Sequence, residues 1–205
     1  MDLFSPILPL NLLPYEGVSE YYGSVLDKNT ADSYFFRLLR EVPWKNDEAI
    51  IFGKHIVTKR KVAWFGDSDY KYAYSNTIKT ALSWTRDLSE LKRIVESLSN
   101  AKFNSCLLNL YHSGEEGMAW HSDDEKALGK NSAIASLSLG AERRFLFRHK
   151  KTKEQVSILL ESGSLLLMRE ETQDKWLHSL PKAKKILTPR INLTFRTMIP
   201  QERNP

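Results

Sequence analysis

Two short stretches concentrate the residues that could do chemistry, Asn109-Leu110-Tyr111 and His121-Ser122-Asp123-Asp124-Glu125. Side chains alternate along an extended segment, so His121 and Asp123 are expected to project from one side of a strand. An imidazole nitrogen and a carboxylate oxygen placed there can reach one ion together. A third ligand is needed, and the apolar stretch Lys175-Trp176-Leu177-His178-Ser179-Leu180-Pro181 offers His178. Two His and one carboxylate leave metal positions open, the arrangement that suits non-haem Fe(II) and oxygen chemistry. A His-x-Asp pair alone is a common accident of composition.

The segment Pro189-Arg190-Ile191-Asn192-Leu193-Thr194-Phe195-Arg196 alternates strictly. Arg190, Asn192, Thr194 and Arg196 fall on one face, Ile191, Leu193 and Phe195 on the other. A surface strand with a wet polar face would read the same way. Against that, the polar face holds no acid to pair with its two Arg, and the segment follows soon after His178. An inward row of this kind can hold a dianionic small molecule, because Arg grips a carboxylate as a planar fork.

Together the His-x-Asp pair, the distal His and the run Arg-x-Asn-x-Thr-Phe-Arg resemble the AlkB family of Fe(II)- and 2-oxoglutarate-dependent nucleic-acid dealkylases. The resemblance extends from about Thr30 to Arg196 and is nearest to the homologue-2 and homologue-3 branch. It implies Fe(2+) on His121, Asp123 and His178, with 2-oxoglutarate and O2 as co-substrates. It assigns Arg190 to the far carboxylate of 2-oxoglutarate, Thr194 to a hydroxyl bond and Arg196 to the metal-side carboxylate. Asn109 and Tyr111 match a co-substrate-contacting pair, although composition alone makes Tyr111 a core aromatic. The implied reaction oxidises an N-methyl group and sheds formaldehyde, giving succinate and carbon dioxide. It requires no protein nucleophile.

The implied substrate is DNA with alkylated bases, 1-methyladenine and 3-methylcytosine, with RNA as the alternative. A methyl group on a pairing edge is buried in a duplex, so the base must be everted or already unpaired. Ile51-Phe52-Gly53-Lys54 resembles the finger hairpin of the duplex-DNA branch, with Phe52 as the wedge beside Gly53 and Lys54. Tyr70, Tyr72 and Tyr74 alternate onto one face next to Lys71, in the manner of a stacking platform. Trp64-Phe65-Gly66-Asp67 resembles the step into that lid, and Tyr72 and Tyr74 match its substrate-contacting positions. Glu125 stands where the family keeps an acid against the flipped base, whereas Asp124 faces the other way and is structural. Thr58-Lys59-Arg60 lacks a Pro that many relatives carry, Arg144 replaces an acid, and the loop after Lys153 is short. These departures leave the preference between single and double strands, and between DNA and RNA, open.

The rest of the chain must position these groups. It has 205 residues, 41% hydrophobic and 27% charged, which is enough for one domain with a substantial core. The single Cys106 excludes a disulfide framework and fits a reducing compartment. Residues 3–15 are apolar but interrupted by Pro6, Pro9 and Pro14, which is neither a signal peptide nor a membrane span. A cytoplasmic protein is expected, or a nuclear one where a nucleus exists, monomeric and away from membranes. The net charge of +5 gathers in runs around Lys54–Lys61, Arg143–Lys153 and Lys182–Lys185, read as phosphate contacts rather than plain solvated loops.

Asn29 or Thr30 can cap a helix whose Ala31, Tyr34, Phe35, Leu38 and Leu39 share a face, ending before Pro43. Leu88, Leu91, Ile94, Val95 and Leu98 stripe a second helix that leaves through Ser99-Asn100. From Phe103 onward short runs alternate between turns: Ser105–Tyr111, Ile134–Leu139, Phe145–Arg148, Val156–Leu160, Ser164–Met168 and Ile191–Met198. The pattern predicts a mainly β protein with flanking helices. The resemblance specifies a double-stranded β-helix (jelly-roll) core over 101–205, with N-terminal helices and a nucleotide-recognition lid over 1–100 that do not fold alone.

Overall fold

The structure, a computed structural model, describes residues 9–51, 54–67, 71–74 and 77–199. Its elements run β1 (Leu10–Asn11), β2 (Val18–Ser24), α1 (Lys28–Glu41), β3 (Lys45–Ile51), β4 (Lys54–Gly66), β5 (Lys71–Tyr74), β6 (Thr77–Thr80) and α2 (Arg86–Ser99). Then follow β7 (Ser105–Tyr111), β8 (Met118–His121), β9 (Ile134–Gly140), β10 (Arg143–His149), β11 (Gln155–Leu160), β12 (Ser164–Arg169), α3 (Thr172–Lys175), β13 (Trp176–Leu180) and β14 (Arg190–Arg196).

Among the described residues the strands form an eight-stranded sheet, ordered β1-β2-β12-β9-β14-β7-β4-β3, and a four-stranded sheet, ordered β11-β10-β13-β8. The ladders within both are antiparallel. This is the jelly-roll arrangement expected from the sequence. Strands β5 and β6 form a separate hairpin.

Alternation on the large sheet's strands builds two apolar layers. Ala135, Leu137, Leu139, Leu165, Leu167, Ile191, Leu193 and Phe195 pack on one side with Leu38 of α1 and Leu88, Leu91 and Val95 of α2. From the opposite side Ile134, Leu166 and Met168 meet Phe147, Leu160 and Trp176 of the small sheet. The unbroken run Leu165–Met168 follows from this, since a strand covered on both faces has no polar side to present.

The helix ends are set by short polar side chains. The Asp27 carboxylate accepts the Thr30 N–H at 3.0 Å, so α1 starts earlier than the Asn29 or Thr30 cap expected from the sequence. Asp27 satisfies one of the free N–H groups of the first turn, and Thr30 donates its hydroxyl back to it at 2.6 Å. Thr85 caps α2, and Asn100 closes it in the left-handed region (φ 49°), a conformation Asn tolerates.

Strand β2 pairs with β12 and β4 pairs with β7, so chain from both sides of residue 100 builds the large sheet. No helix among the described residues is long and apolar enough to cross a membrane.

Candidate metal and co-substrate centre

Strands β8 and β13 are antiparallel neighbours with His121 opposite His178. The two rings meet edge to face, 4.3 Å between centroids. Asp123 lies past the end of β8, in a loop, so the same-side-of-a-strand argument for the His-x-Asp pair does not hold here. The loop nevertheless brings the Asp123 Oδ1 to 3.8 Å from His121 Nε2. One ligand atom from each of His121, Asp123 and His178 lies within 4.8 Å of the other two.

Protonation states suit a cation. His121 Nδ1 donates to the Ala119 carbonyl at 2.8 Å, which leaves the Nε2 lone pair for a metal. Burial pushes the His178 imidazole down to about 3, so it is neutral at working pH. Phe145 stacks on its ring at 5.4 Å. Burial alone would raise Asp123, but the Arg196 guanidinium overcomes this and holds the carboxyl below its ordinary value.

The polar row of β14 faces the same cavity, of about 610 Å³, as the three ligands. Its buried face excludes the wet surface strand. Arg190 is 2% exposed and donates through Nη2 to Ser138 Oγ at 2.9 Å and Asn192 Oδ1 at 2.8 Å. No carboxylate among the described residues pairs with it, and its Nε has no partner there. Burial, with Arg143 adding repulsion, lowers the Arg190 guanidinium to about 10, which still leaves it charged at neutral pH. Asn192 is fixed in turn, accepting from Ser136 Oγ and donating to Thr194 Oγ1, both at 2.8 Å. A buried cation without a counter-charge is costly unless an anion joins it. The donor set thus fits a dicarboxylate beside a ferrous ion.

Strand β7 runs next to β14 with Tyr111 opposite Arg190 and Asn109 opposite Asn192. Both line the cavity, and the buried Asn109 Oδ1 has no partner among the described residues. The Tyr111 ring lies 5.7 Å from the Arg190 guanidinium. Arg196, expected to face a co-substrate carboxylate, lines the cavity, holds Asp123 Oδ2 at 2.8 Å and comes within 3.9 Å of Glu125. Glu125 also lines the cavity, whereas Asp124 is exposed and accepts the Ser122 hydroxyl at 3.2 Å.

Phe52 and Gly53 lie outside the described residues. For Lys54, Tyr72 and Tyr74 only the backbone is described: Lys54 pairs with Ile51, Tyr72 with Lys79 and Tyr74 with Thr77. His55, His112 and His149 each face a Glu, at 2.9, 3.0 and 2.8 Å, and none joins the three ligands.

Several members of the basic runs turn inward. Arg143 is 1% exposed and donates to the carbonyls of Glu116 and Pro181, each at 2.8 Å. Arg60 pairs with Asp47 in the cavity wall. A charge run gives no hint of which members turn inward. Gln173, whose Oε1 accepts the Asp123 N–H at 2.9 Å, carried no sequence signal at all.

A profile of the 2OG-Fe(II) oxygenase superfamily matches residues 19–196. The alpha-ketoglutarate-dependent dioxygenase alkB homolog 3 of Bos taurus is 40% identical over 187 residues, covering 87% of this chain and 65% of that protein. The DNA oxidative demethylase ALKBH2 of Mus musculus is 37% identical over 199 residues, covering 92% of this chain and 83% of that protein. The solved structure of OsALKBH1 superposes with a TM-score of 0.62 over 90% of this chain and 99% of that one, at 17% identity, a likeness of fold alone. Kinship along most of the sequence and the ligand geometry between the two sheets lead to one conclusion: the chain belongs to the AlkB family of Fe(II)- and 2-oxoglutarate-dependent dioxygenases.

Proposed function

We propose that the protein oxidatively demethylates N-alkylated bases in DNA, 1-methyladenine and 3-methylcytosine, converting 2-oxoglutarate to succinate and carbon dioxide and releasing formaldehyde. One juxtaposition carries this reading: His121, Asp123 and His178 share a cavity with the buried, acid-free Arg190. A relative spanning most of the chain, named a DNA oxidative demethylase, supplies the substrate class.

Iron and 2-oxoglutarate, when bound, supply the activation of O2 and the oxidation of the alkyl carbon. The residues then have separate tasks. His121, Asp123 and His178 hold the metal. Arg190, with Asn192 and Thr194, takes the far carboxylate, Asn109 and Tyr111 flank the co-substrate, and Arg196 keeps Asp123 ionised. Glu125 favours a base that alkylation has made cationic, since a carboxylate prefers a positive neighbour. Phe52, Gly53 and Lys54 form the wedge that fills the gap left by an everted base, and Tyr72 and Tyr74 stack on that base. The exposed Lys182, Lys184 and Lys185 contact phosphates. The protein works as a monomer in the cytoplasm, or in the nucleus of a cell that has one, with no membrane partner.

Formaldehyde release from methylated oligonucleotides, with and without 2-oxoglutarate, tests the reading. Single-stranded DNA, duplex DNA and RNA carrying 1-methyladenine are compared side by side. Release from DNA that needs 2-oxoglutarate and is abolished by His121→Ala, while oligonucleotide binding survives, is expected. Release from RNA only would overturn the DNA assignment, and no release from any substrate would overturn the activity. Phe52→Ala should lower turnover on duplex more than on single strands, and equal losses would remove the wedge.

A further inference from the structure

Asp123 sits outside both sheets, so no strand ladder fixes it. Its backbone is held from elsewhere. The Asp123 N–H donates to Gln173 Oε1 at 2.9 Å, and Gln173 Nε2 turns the other way, towards Met168 Sδ at 3.3 Å. Gln173 belongs to α3, the short helix that leads directly into β13 and His178. The helix itself is a fixed platform. The Thr172 hydroxyl accepts the Val18 N–H at 2.9 Å and bonds the Val18 and Arg169 carbonyls at 3.0 and 2.6 Å, tying α3 to β2 and β12.

A second tether joins the same two segments. Lys150 Nζ donates to the Gln173 carbonyl at 2.7 Å and to Ser122 Oγ at 3.1 Å, while the Lys150 N–H donates to the Lys175 carbonyl at 2.8 Å. The ammonium thus bridges the residue before Asp123 and the helix before His178. No carboxylate among the described residues pairs with Lys150, so its donors serve this bridge.

We infer that Gln173 and Lys150 are positioning residues for the metal centre. They pin the Asp123 loop to the segment carrying His178, so that three ligands from two distant parts of the chain stand preset before a cation arrives. The inference rests on the reading that His121, Asp123 and His178 bind a divalent ion. Groups that orient metal ligands from behind affect affinity by roughly ten- to a hundredfold when removed. Neither residue touches the ion.

Cobalt(II) alone, titrated into the metal-free full chain and followed by its visible absorption, tests this. Gln173→Met keeps the side chain's length and cannot accept the Asp123 N–H as an amide does. It should weaken cobalt binding roughly tenfold, with an altered spectrum, in a metal-free chain that still unfolds cooperatively. Gln173→Glu restores an acceptor oxygen and should bind cobalt within about threefold of wild type. Lys150→Met should weaken binding in the direction of Gln173→Met. Wild-type affinity and spectrum in Gln173→Met would overturn the inference, as would equal losses in Gln173→Met and Gln173→Glu. A wild-type chain that takes up no cobalt would overturn the metal centre itself and the clamp with it.

Discussion

Arg190 and His178 are both buried, and burial acts on them in opposite functional senses. Arg190 keeps its charge and has no acid beside it among the described residues, so it lowers the stability of the protein by itself and gains a counter-charge only from a ligand. Arg190→Met should therefore leave the melting temperature of the ligand-free protein equal to or above that of wild type. The same change should raise the 2-oxoglutarate requirement roughly a hundredfold, because losing one partner of a buried charge pair costs about 2–5 kcal/mol. Thermal shift with and without 2-oxoglutarate reads both effects. His178 loses its charge on burial. Below pH of about 6.5 an unfolded His178 binds a proton, whereas the folded one does so only near 3. The unfolded state then holds more protons, so metal-free stability should fall as pH drops from about 6.5 towards 3. Asp123, held below its ordinary value, adds to that loss at the acid end. Urea denaturation of the metal-free protein across this range checks the slope, and His178→Phe should flatten its upper part.

At the scale of elements, β14 links the site to the root of the β5–β6 hairpin, the proposed lid. Thr194 and Arg196 point into the cavity, and Phe195 between them packs in the helical layer, stacked on Trp84 at 6.4 Å. Trp84 Nε1 donates to Asp67 Oδ1 at 2.6 Å, Lys92 of α2 reaches the same oxygen at 3.0 Å, and the Lys92 ammonium lies 4.8 Å from the Trp84 ring. The two feet of the hairpin are also stitched together, by Gly66 N–H to the Leu82 carbonyl and Leu82 N–H to the Trp64 carbonyl. Asp67→Ala should loosen this root. A roughly three- to tenfold rise in the KM for methylated oligonucleotide is expected, since a hydrogen bond to a charged group contributes about 1.5–3 kcal/mol and this one is half exposed. Oligonucleotide-independent turnover of 2-oxoglutarate should be unchanged. A fall in that turnover would place Asp67 in the support of the metal site rather than of the β5–β6 hairpin.

At the scale of the whole molecule, the parts legible in the sequence are those whose periodicity survives tertiary pairing. Ser105–Tyr111 is a strand as expected, and α2 shows its stripe because one face only is buried. The polar row of β14 was readable because two Arg on one strand face, with no acid between them, suit an inward anion site better than a wet surface. Strand β2 was not: Val18-Ser19-Glu20-Tyr21-Tyr22-Gly23-Ser24 carries weak alternation and is held by its ladder to β12 and by β1. Strands β3 and β4 show no clear alternation, their charge run including Arg60, which turns into the cavity, and only the resemblance of Ile51–Lys54 to a finger hairpin pointed to them. Arg143 reads as surface and is a buried clasp on two carbonyls, since its partners are backbone oxygens that no side-chain pattern reveals. Asp123 was found for an incomplete reason. The spacing from His121 pointed to it, but the loop, Arg196 and Gln173 hold it in place.

The central claim is that His121, Asp123, His178 and Arg190 form one site for a ferrous ion and 2-oxoglutarate. Anaerobic titration of the metal-free protein with Fe(II), then with 2-oxoglutarate, reads it through the visible charge-transfer band of the iron–keto-acid complex. The account predicts a band that needs both additions, saturates at one iron per chain, disappears in His178→Ala and requires far more 2-oxoglutarate in Arg190→Met. No band in the wild-type protein, or an unchanged band in His178→Ala, would contradict it.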